Sequence, residues 1–287
     1  MPSSTSRKYK DAYFTSAADA EWCIARLSEV YDLEGKTALE PAVGSGVFVR
    51  ASEKTGLLWT TNDLYPEFAK DFTPDYALDF GKMRPDALGS YNVIITNPPF
   101  GEASSLAKKF LKRALEISDV VAMLLPRGCR RGTFLDKHIS KDVKILTDLD
   151  LPGGVFSLPD GSTREVGCVF MVFQHETGYH RENVLEYEPR GYRAEVREFR
   201  PRRGDKPEEW WPDWATHIMC LWGSAGKMYG REREKPFACS IFLSLTEKQR
   251  SKVQAIDWNP IIDRYKTTSP MLTGPEVITT INRALYA

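Results

Sequence analysis

The chain has 287 residues, enough for one large or two modest domains with a proper apolar core. Its 39 lysines and arginines are matched by 39 aspartates and glutamates, so no global charge draws it to a polyanion and any such partner must be held by local patches. The five cysteines lack the paired spacing of a zinc site or a disulfide framework, and no charged-then-apolar leader or long apolar run is found, so a cytoplasmic protein with reduced thiols, no metal and no membrane span is expected.

Residues Met1 to Lys10 are polar and expected to be loose. Tyr13-Phe14-Thr15-Ser16 leads into a helical stretch with Trp22, Cys23, Leu27 and Val30 at amphipathic spacing and Thr15 or Ser16 as its cap. Lys36 to Glu40 reads as a short strand ending in Glu40-Pro41-Ala42-Val43-Gly44-Ser45-Gly46. Closely spaced glycines between a strand and a helix let the backbone approach a ligand and aim free N–H groups at it. The next strand, Leu57 to Thr61, is followed by Asp63, about 20 residues after the glycines, where a doubly wound sheet places a ribose-binding carboxylate. The missing third glycine favours a nucleoside with a small charged tail over a dinucleotide. Asp79-Phe80 follows Tyr76-Ala77-Leu78, another expected strand end; the pair suits an adenine amino group and ring, or equally a turn aspartate and a core phenylalanine.

Tyr91 to Thr96 is the central apolar strand, and Asn97-Pro98-Pro99-Phe100 stands at its rim. The prolines stop the strand and stiffen its exit. An amide oxygen at Asn97, a free carbonyl at Pro98 and the flat ring of Phe100 then converge as a receptor for a planar amino group; the plain alternative is a strand terminator. A helix carries Leu106, Phe110, Leu111, Ala114 and Leu115 on one face, with a solvated face of Lys108, Lys109, Lys112 and Arg113. Val120 to Leu125 is the next strand, and Arg127, Arg130 and Arg131 beyond it fall on the carboxyl edge of the sheet, where phosphate contact is expected. Val143 to Leu149 and Val166 to Phe173 are too close for a crossover helix and predict a terminal antiparallel hairpin.

After residue 178 arginines cluster, Arg197 and Arg200 among them, before Trp210-Trp211-Pro212-Asp213-Trp214. Basic residues interleaved with aromatics suit a nucleic acid, while three tryptophans so close also make the core of a small domain. Thr246 to Gln249 and Thr273 to Glu276 resemble capping boxes.

Taken in order, Tyr13-Phe14-Thr15, Glu40 to Gly46, Asp63-Leu64-Tyr65-Pro66, Asp79-Phe80 and Asn97-Pro98-Pro99-Phe100 resemble the γ-class adenine-specific DNA methyltransferases of the TaqI type. The likeness spans roughly residues 12–173 and implies a Rossmann-like methyltransferase fold, α/β, with a mostly parallel seven-stranded sheet and a terminal antiparallel hairpin. It implies a catalytic domain over residues 1–178, with residues 179–287 as a small C-terminal region offered for target recognition. It implies S-adenosylmethionine as methyl donor and N6 of a flipped-out adenine in DNA as acceptor, in a prokaryotic or phage-encoded restriction-modification setting. Tyr13, Thr15, Glu40, Pro41, Gly44, Gly46, Asp63, Leu64, Asp79 and Phe80 would hold the cofactor, and Asn97, Pro98, Pro99 and Phe100 the target base. Arg127, Arg130, Arg131, Arg197 and Arg200 would touch nucleic acid. RNA adenine methylation, protein glutamine methylation and an inactive nucleic-acid-binding module are the alternatives. The chain departs from the family in reading Thr15-Ser16-Ala17 where Thr-Pro-Pro is usual.

Overall fold

The computed structural model describes residues 13–68, 72–83, 89–198, 211–233, 237–265 and 270–286. Met1 to Lys10, Arg200 and Trp210 lie outside them. The chain divides into two compact units, Met1–Arg130 with His138–Glu182, and Arg131–Lys137 with Asn183–Ala287.

The first unit opens with helix α1 (Ala17–Ser28), capped by Ser16, whose hydroxyl accepts from the Asp19 N–H at 3.0 Å. Its buried face is Ala20, Cys23, Ile24 and Leu27; Val30 falls beyond the helix and is exposed. Strand β1 (Thr37–Glu40) runs into helix α2 (Val47–Ala51), then β2 (Leu58–Thr61), β3 (Tyr91–Thr96), helix α3 (Ser105–Ile117) and β4 (Ser118–Pro126). After β5 (Val143–Asp150) a small ribbon of β6 (Val155–Ser157) and β7 (Thr163–Glu165) precedes β8 (Cys168–His175).

The sheet order is β2-β1-β3-β4-β8-β5. Strands β1 to β4 are parallel, and β8 runs antiparallel to both β4 and β5. This is the Rossmann-like methyltransferase fold, a mostly parallel sheet in which one reversed strand is wedged beside the last. The expected hairpin is β5 with β8, and its second strand lies inside the sheet. Val120 to Leu125 and Val169 to Phe173 are fully buried, as covered central strands require. Burying each such side chain stabilises the fold by about 1.5–3 kcal/mol.

The expected seventh strand at Tyr76–Leu78 is reduced to one bridge, Tyr76 with Asn62. Side chains have replaced the ladder there: the Asn62 amide accepts from the Leu78 N–H at 2.9 Å and donates to the Leu78 carbonyl at 3.0 Å. Asp75 likewise accepts from the Thr61 N–H and hydroxyl at 2.7 and 2.8 Å.

The second unit contains helix α4 (Gly132–His138), whose last residue belongs to the first unit. Its own sheet joins β9 (Arg193–Glu198), β10 (His217–Cys220), β11 (Met228–Gly230) and β12 (Cys239–Ser244) in the antiparallel order β11-β10-β12-β9. Helices α5 (Glu247–Gln254), α6 (Asn259–Tyr265) and α7 (Gly274–Tyr286) follow. Met219, Ile241 and Leu243 pack with Val253, Ile262, Val277 and Ile281 in one core, and Trp211, Ala215, Ile218 and Phe242 form another on the opposite sheet face. Trp211 is therefore core, with Trp214 packed against it. Thr246 and Gln249 form a reciprocal capping box, and Thr273 with Glu276 does the same at the start of α7.

Candidate active site

At the carboxyl ends of β1, β2 and β3 the first unit encloses a cavity of about 390 Å³. Strand ends in an open α/β sheet are where ligands bind, because loops diverge there and helix N-termini point in. Ten of the expected residues line it: Tyr13, Pro41, Gly44, Asp63, Leu64, Asp79, Phe80, Asn97, Pro98 and Pro99. Phe14, Lys109 and Phe110 also line it and are not among the expected site residues: Phe14 is a motif neighbour, Phe110 a residue of an apolar helix face and Lys109 one of a solvated face. Thr15, Glu40, Gly46 and Phe100 do not line it.

The Asn97 amide is held firmly. Its nitrogen donates to the Tyr13 carbonyl at 2.9 Å and to the Thr15 hydroxyl at 3.1 Å. A carbonyl only accepts, so the nitrogen must face Tyr13 and the oxygen must face the other way. That oxygen is buried and has no hydrogen-bond partner among the described residues. A buried acceptor left unpaired costs about 1–3 kcal/mol, which an arriving N–H donor would recover.

Tyr13 is fixed in turn. Phe14 exchanges main-chain hydrogen bonds with Ser157 of β6, at 2.9 and 3.1 Å. The Tyr13 ring stacks on Phe100, with centroids 5.6 Å apart and planes 21° apart, and Phe156 meets both rings edge-on. Phe100 is thus 7 % exposed and one of its faces is already covered. Its carbonyl accepts from the Leu106 and Ala107 N–H groups, which ties the motif to the start of α3.

On the glycine side, Gly44 has φ +48° and its N–H donates to Asp63 Oδ2 at 2.8 Å; Asp63 Oδ1 accepts from the Tyr65 N–H at 2.8 Å. A carboxylate has about four acceptor positions, so two remain for hydroxyl groups in the cavity. Gly46, at φ +74°, is approached by the Phe72 ring rather than by open cavity, and a Cβ there would overlap that ring. Asn62, which sequence reasoning missed, joins the two walls by donating to the Pro41 carbonyl as well as to Leu78. Its signal was only a polar residue directly after a strand.

Glu40 is 1 % exposed. Burial pushes its carboxyl well above the usual range, against the pull of the Thr96 hydroxyl and the Ala42 N–H. Oε1 accepts from Ala42 at 3.4 Å, while Oε2 and the Thr96 hydroxyl are both buried without a well-formed hydrogen bond. Asp79 is half-exposed and pairs with Lys82 at 2.9 Å, and Phe80 is buried against Phe110 with centroids 5.0 Å apart.

The arginines expected to contact phosphate have carboxylate partners within the chain. Arg130 is 6 % exposed and bridges Asp148 and Asp150 at 2.7 and 2.9 Å. Arg131, in the second unit, is buried in a two-pronged bond to Glu276. Both charges are buried and already paired with carboxylates. Arg127 pairs with Asp150 at 3.0 Å, and Arg197 with Glu195 at 2.7 Å, both near the surface.

Burial pushes the Cys129 thiol up to about 11 and that of Cys168 up to about 12, so neither offers a thiolate near neutrality. Among the described residues no group of three or more His, Cys, Asp or Glu side chains is arranged to hold a metal ion, and no helix is long and apolar enough to cross a membrane.

No family model matches the chain, and no curated protein matches it. Among solved structures, it is similar to a proposed RNA methyltransferase from Pyrococcus horikoshii, at 20% identity and a TM-score of 0.44 over 58% of this chain and 89% of that one. It is similar to a methyltransferase subunit of a type I restriction-modification system from Streptococcus thermophilus, at 15% identity and a TM-score of 0.39, over 58% of this chain and 45% of the subunit. A third likeness is to magnesium protoporphyrin IX methyltransferase from Synechocystis, solved with its methyl donor bound, at 12% identity and a TM-score of 0.42 over 56% of this chain and 79% of that one. The fold assignment stands on strand order and pairing direction, independent of these likenesses.

Proposed function

We propose that the first unit binds S-adenosylmethionine and catalyses methylation of N6 of adenine in DNA. The observation that carries this reading is the Asn97 amide, oriented by Tyr13 and Thr15 so that an unpaired, buried oxygen faces away from both. Such an oxygen selects an N–H donor, and Asn97 lines the same cavity as Gly44, Asp63 and Asp79.

The residues present fit the cofactor. Asp63 retains acceptor capacity for ribose hydroxyls, the Asp79 carboxylate suits an adenine amino group once Lys82 swings aside, and Phe80 and Phe110 supply apolar wall. Bound there, the cofactor supplies a methyl group on a sulfonium. Asn97 Oδ1 accepts one hydrogen of the target amino group and the Pro98 carbonyl the other. With both hydrogens held, the nitrogen lone pair is drawn out of conjugation and aimed across the cavity, which is catalysis by orientation. The proton lost from N6 passes to water. Adenine must leave its stack to reach this depth, so base flipping or a single-stranded substrate is required. The second unit, with Arg193 over Trp214 and Arg197 over Phe242, both on β9, serves target recognition in this reading.

Incubation with methyl-labelled cofactor, unmethylated duplex DNA and, in parallel, structured RNA, followed by nucleoside analysis, tests it. Label in N6-methyldeoxyadenosine is the expected result. Label in RNA alone overturns the DNA assignment, and label in neither overturns the activity.

A further inference from the structure

The β6–β7 ribbon carries a cation that the chemistry of the cavity leaves unused. Arg164 of β7 is exposed, and its Nη1 donates to the Tyr13 hydroxyl at 3.0 Å, with the guanidinium 6.0 Å from the centre of the Tyr13 ring. It forms no ion pair with a carboxylate among the described residues. Arg164 is the register partner of Phe156 in the antiparallel ribbon, so the two side chains share a face, the one directed at Tyr13 and Phe100. Thr163 and Glu165 alternate to the other face, which takes the neighbouring acid away from Arg164.

Tyr13 thereby spans two jobs. Its main-chain oxygen is bonded to the Asn97 amide, and its hydroxyl, at the far end of the same residue, to Arg164. A guanidinium accordingly stands one tyrosine length from the Asn97 amide nitrogen, on the amide whose oxygen is read as receiving the base. A nucleotide has the same layout, with its base at one end and its anionic phosphate at the other. A guanidinium pre-set by one hydrogen bond keeps other donors free for a phosphate oxygen.

We infer that Arg164 contacts a backbone phosphate of the strand whose base enters the Asn97 site, so that the β6–β7 ribbon is the rail along which the substrate strand lies. This rests on the reading of the cavity as an amino-group methylation site, and supplies the substrate contact that Arg130 and Arg131 do not. Because phosphate contacts position without reading sequence, the contribution is the same for any base sequence.

The test is binding of the full chain to a fluorescently labelled single-stranded deoxyoligonucleotide, followed by anisotropy over a series of potassium chloride concentrations. Arg164→Ala is expected to weaken binding roughly three- to tenfold and to flatten the plot of log affinity against log salt by about 0.7, one phosphate's share on a single strand. Arg164→Lys is expected to restore most of the slope, since it keeps the charge. Calorimetric affinity for the cofactor and the thermal midpoint are expected to match wild type. An unchanged slope in Arg164→Ala, a lysine variant no better than alanine, or no oligonucleotide binding by the wild-type chain each overturns the inference. If wild type transfers methyl groups but Arg164→Ala binds normally, only this inference fails. If the slope changes as expected but no methyl transfer occurs, only the catalytic reading fails.

Discussion

The Asn97 amide nitrogen donates to the Thr15 hydroxyl at 3.1 Å, joining the rim of β3 to the segment that precedes α1. This bond orients the amide whose oxygen, in the proposed function, receives the target amine. Thr15→Val keeps the shape and removes the acceptor, leaving the Tyr13 carbonyl as the sole restraint. A fall in kcat of about tenfold with unchanged cofactor affinity is expected, and Thr15→Ser should recover most of it. Weakened cofactor binding in Thr15→Val would instead give Thr15 the cofactor-holding role that the family resemblance implies.

Asn97→Ala removes the acceptor itself. Methyl transfer should drop at least a thousandfold, on the scale of losing a preorganised polar group at a reacting centre, while cofactor affinity stays within a few-fold of wild type. Single-turnover measurement with labelled cofactor separates the two. Turnover at the wild-type rate would remove Asn97 from the chemistry.

Asp63 holds the glycine loop and, in the proposed function, also the ribose. Its oxygens accept from the Gly44 and Tyr65 N–H groups at 2.8 Å each, so Asp63→Ala deletes a ribose acceptor and also releases the glycine loop. Calorimetry should show affinity for S-adenosylmethionine reduced roughly 30- to 150-fold, about 2–3 kcal/mol, with little change in thermal midpoint relative to the affinity loss. Equal affinity would refute the role.

The sequence announced these positions unevenly, and the physics says why. Strand ends bearing Glu40, Asp63 and Asn97 were legible because a run of apolar residues followed by Gly, Pro or Asn is a local signal. Asn62 was silent, since its work is to bind Pro41 and Leu78, respectively 21 and 16 residues away in the chain. Gly46 was read as room for a ligand, whereas Phe72 packs against it. Phe100 was read as an open stacking face, but the stack is made with Tyr13, 87 positions earlier, a pairing that no local pattern encodes. Arginines beyond β4 looked like surface charge on a functional edge, and only the fold brings Asp148, Asp150 and Glu276 to them.

Buried Glu40 links stability to pH. Its folded-state pKa is raised above the ordinary 4.5, so the folded chain holds a proton there that the unfolded chain has released. In that window the unfolded state binds fewer protons, and stability falls as pH rises from the ordinary value towards the raised one. Glu40→Gln keeps the volume and removes the titration. The difference in thermal midpoint between variant and wild type should therefore grow in the variant's favour as pH is raised from about 4 to 8. Parallel curves across that range would show that Glu40 is ionised in the folded protein.

Arg131 and Glu276 form the buried ion pair of the second unit, with side chains 7% and 2% exposed, and Arg131 also donates to the Met271 carbonyl at 3.2 Å. Deleting either partner alone strands a charge away from water, so Arg131→Ala or Glu276→Ala should each cost about 3–5 kcal/mol. Replacing both, as Arg131→Met with Glu276→Leu, removes both desolvation penalties and should recover most of that loss. About 1 kcal/mol should remain missing, because Glu276 also accepts from the Thr273 N–H at the start of α7. Urea unfolding followed by tryptophan fluorescence reports the change, with Trp211, Trp214, Trp222 and Trp258 all in that unit. A phosphate-binding Arg131 predicts the reverse pattern: an alanine variant of normal stability whose nucleic-acid binding loses salt dependence. Normal stability in Arg131→Ala would therefore return this arginine to the surface role that its place after β4 first implied.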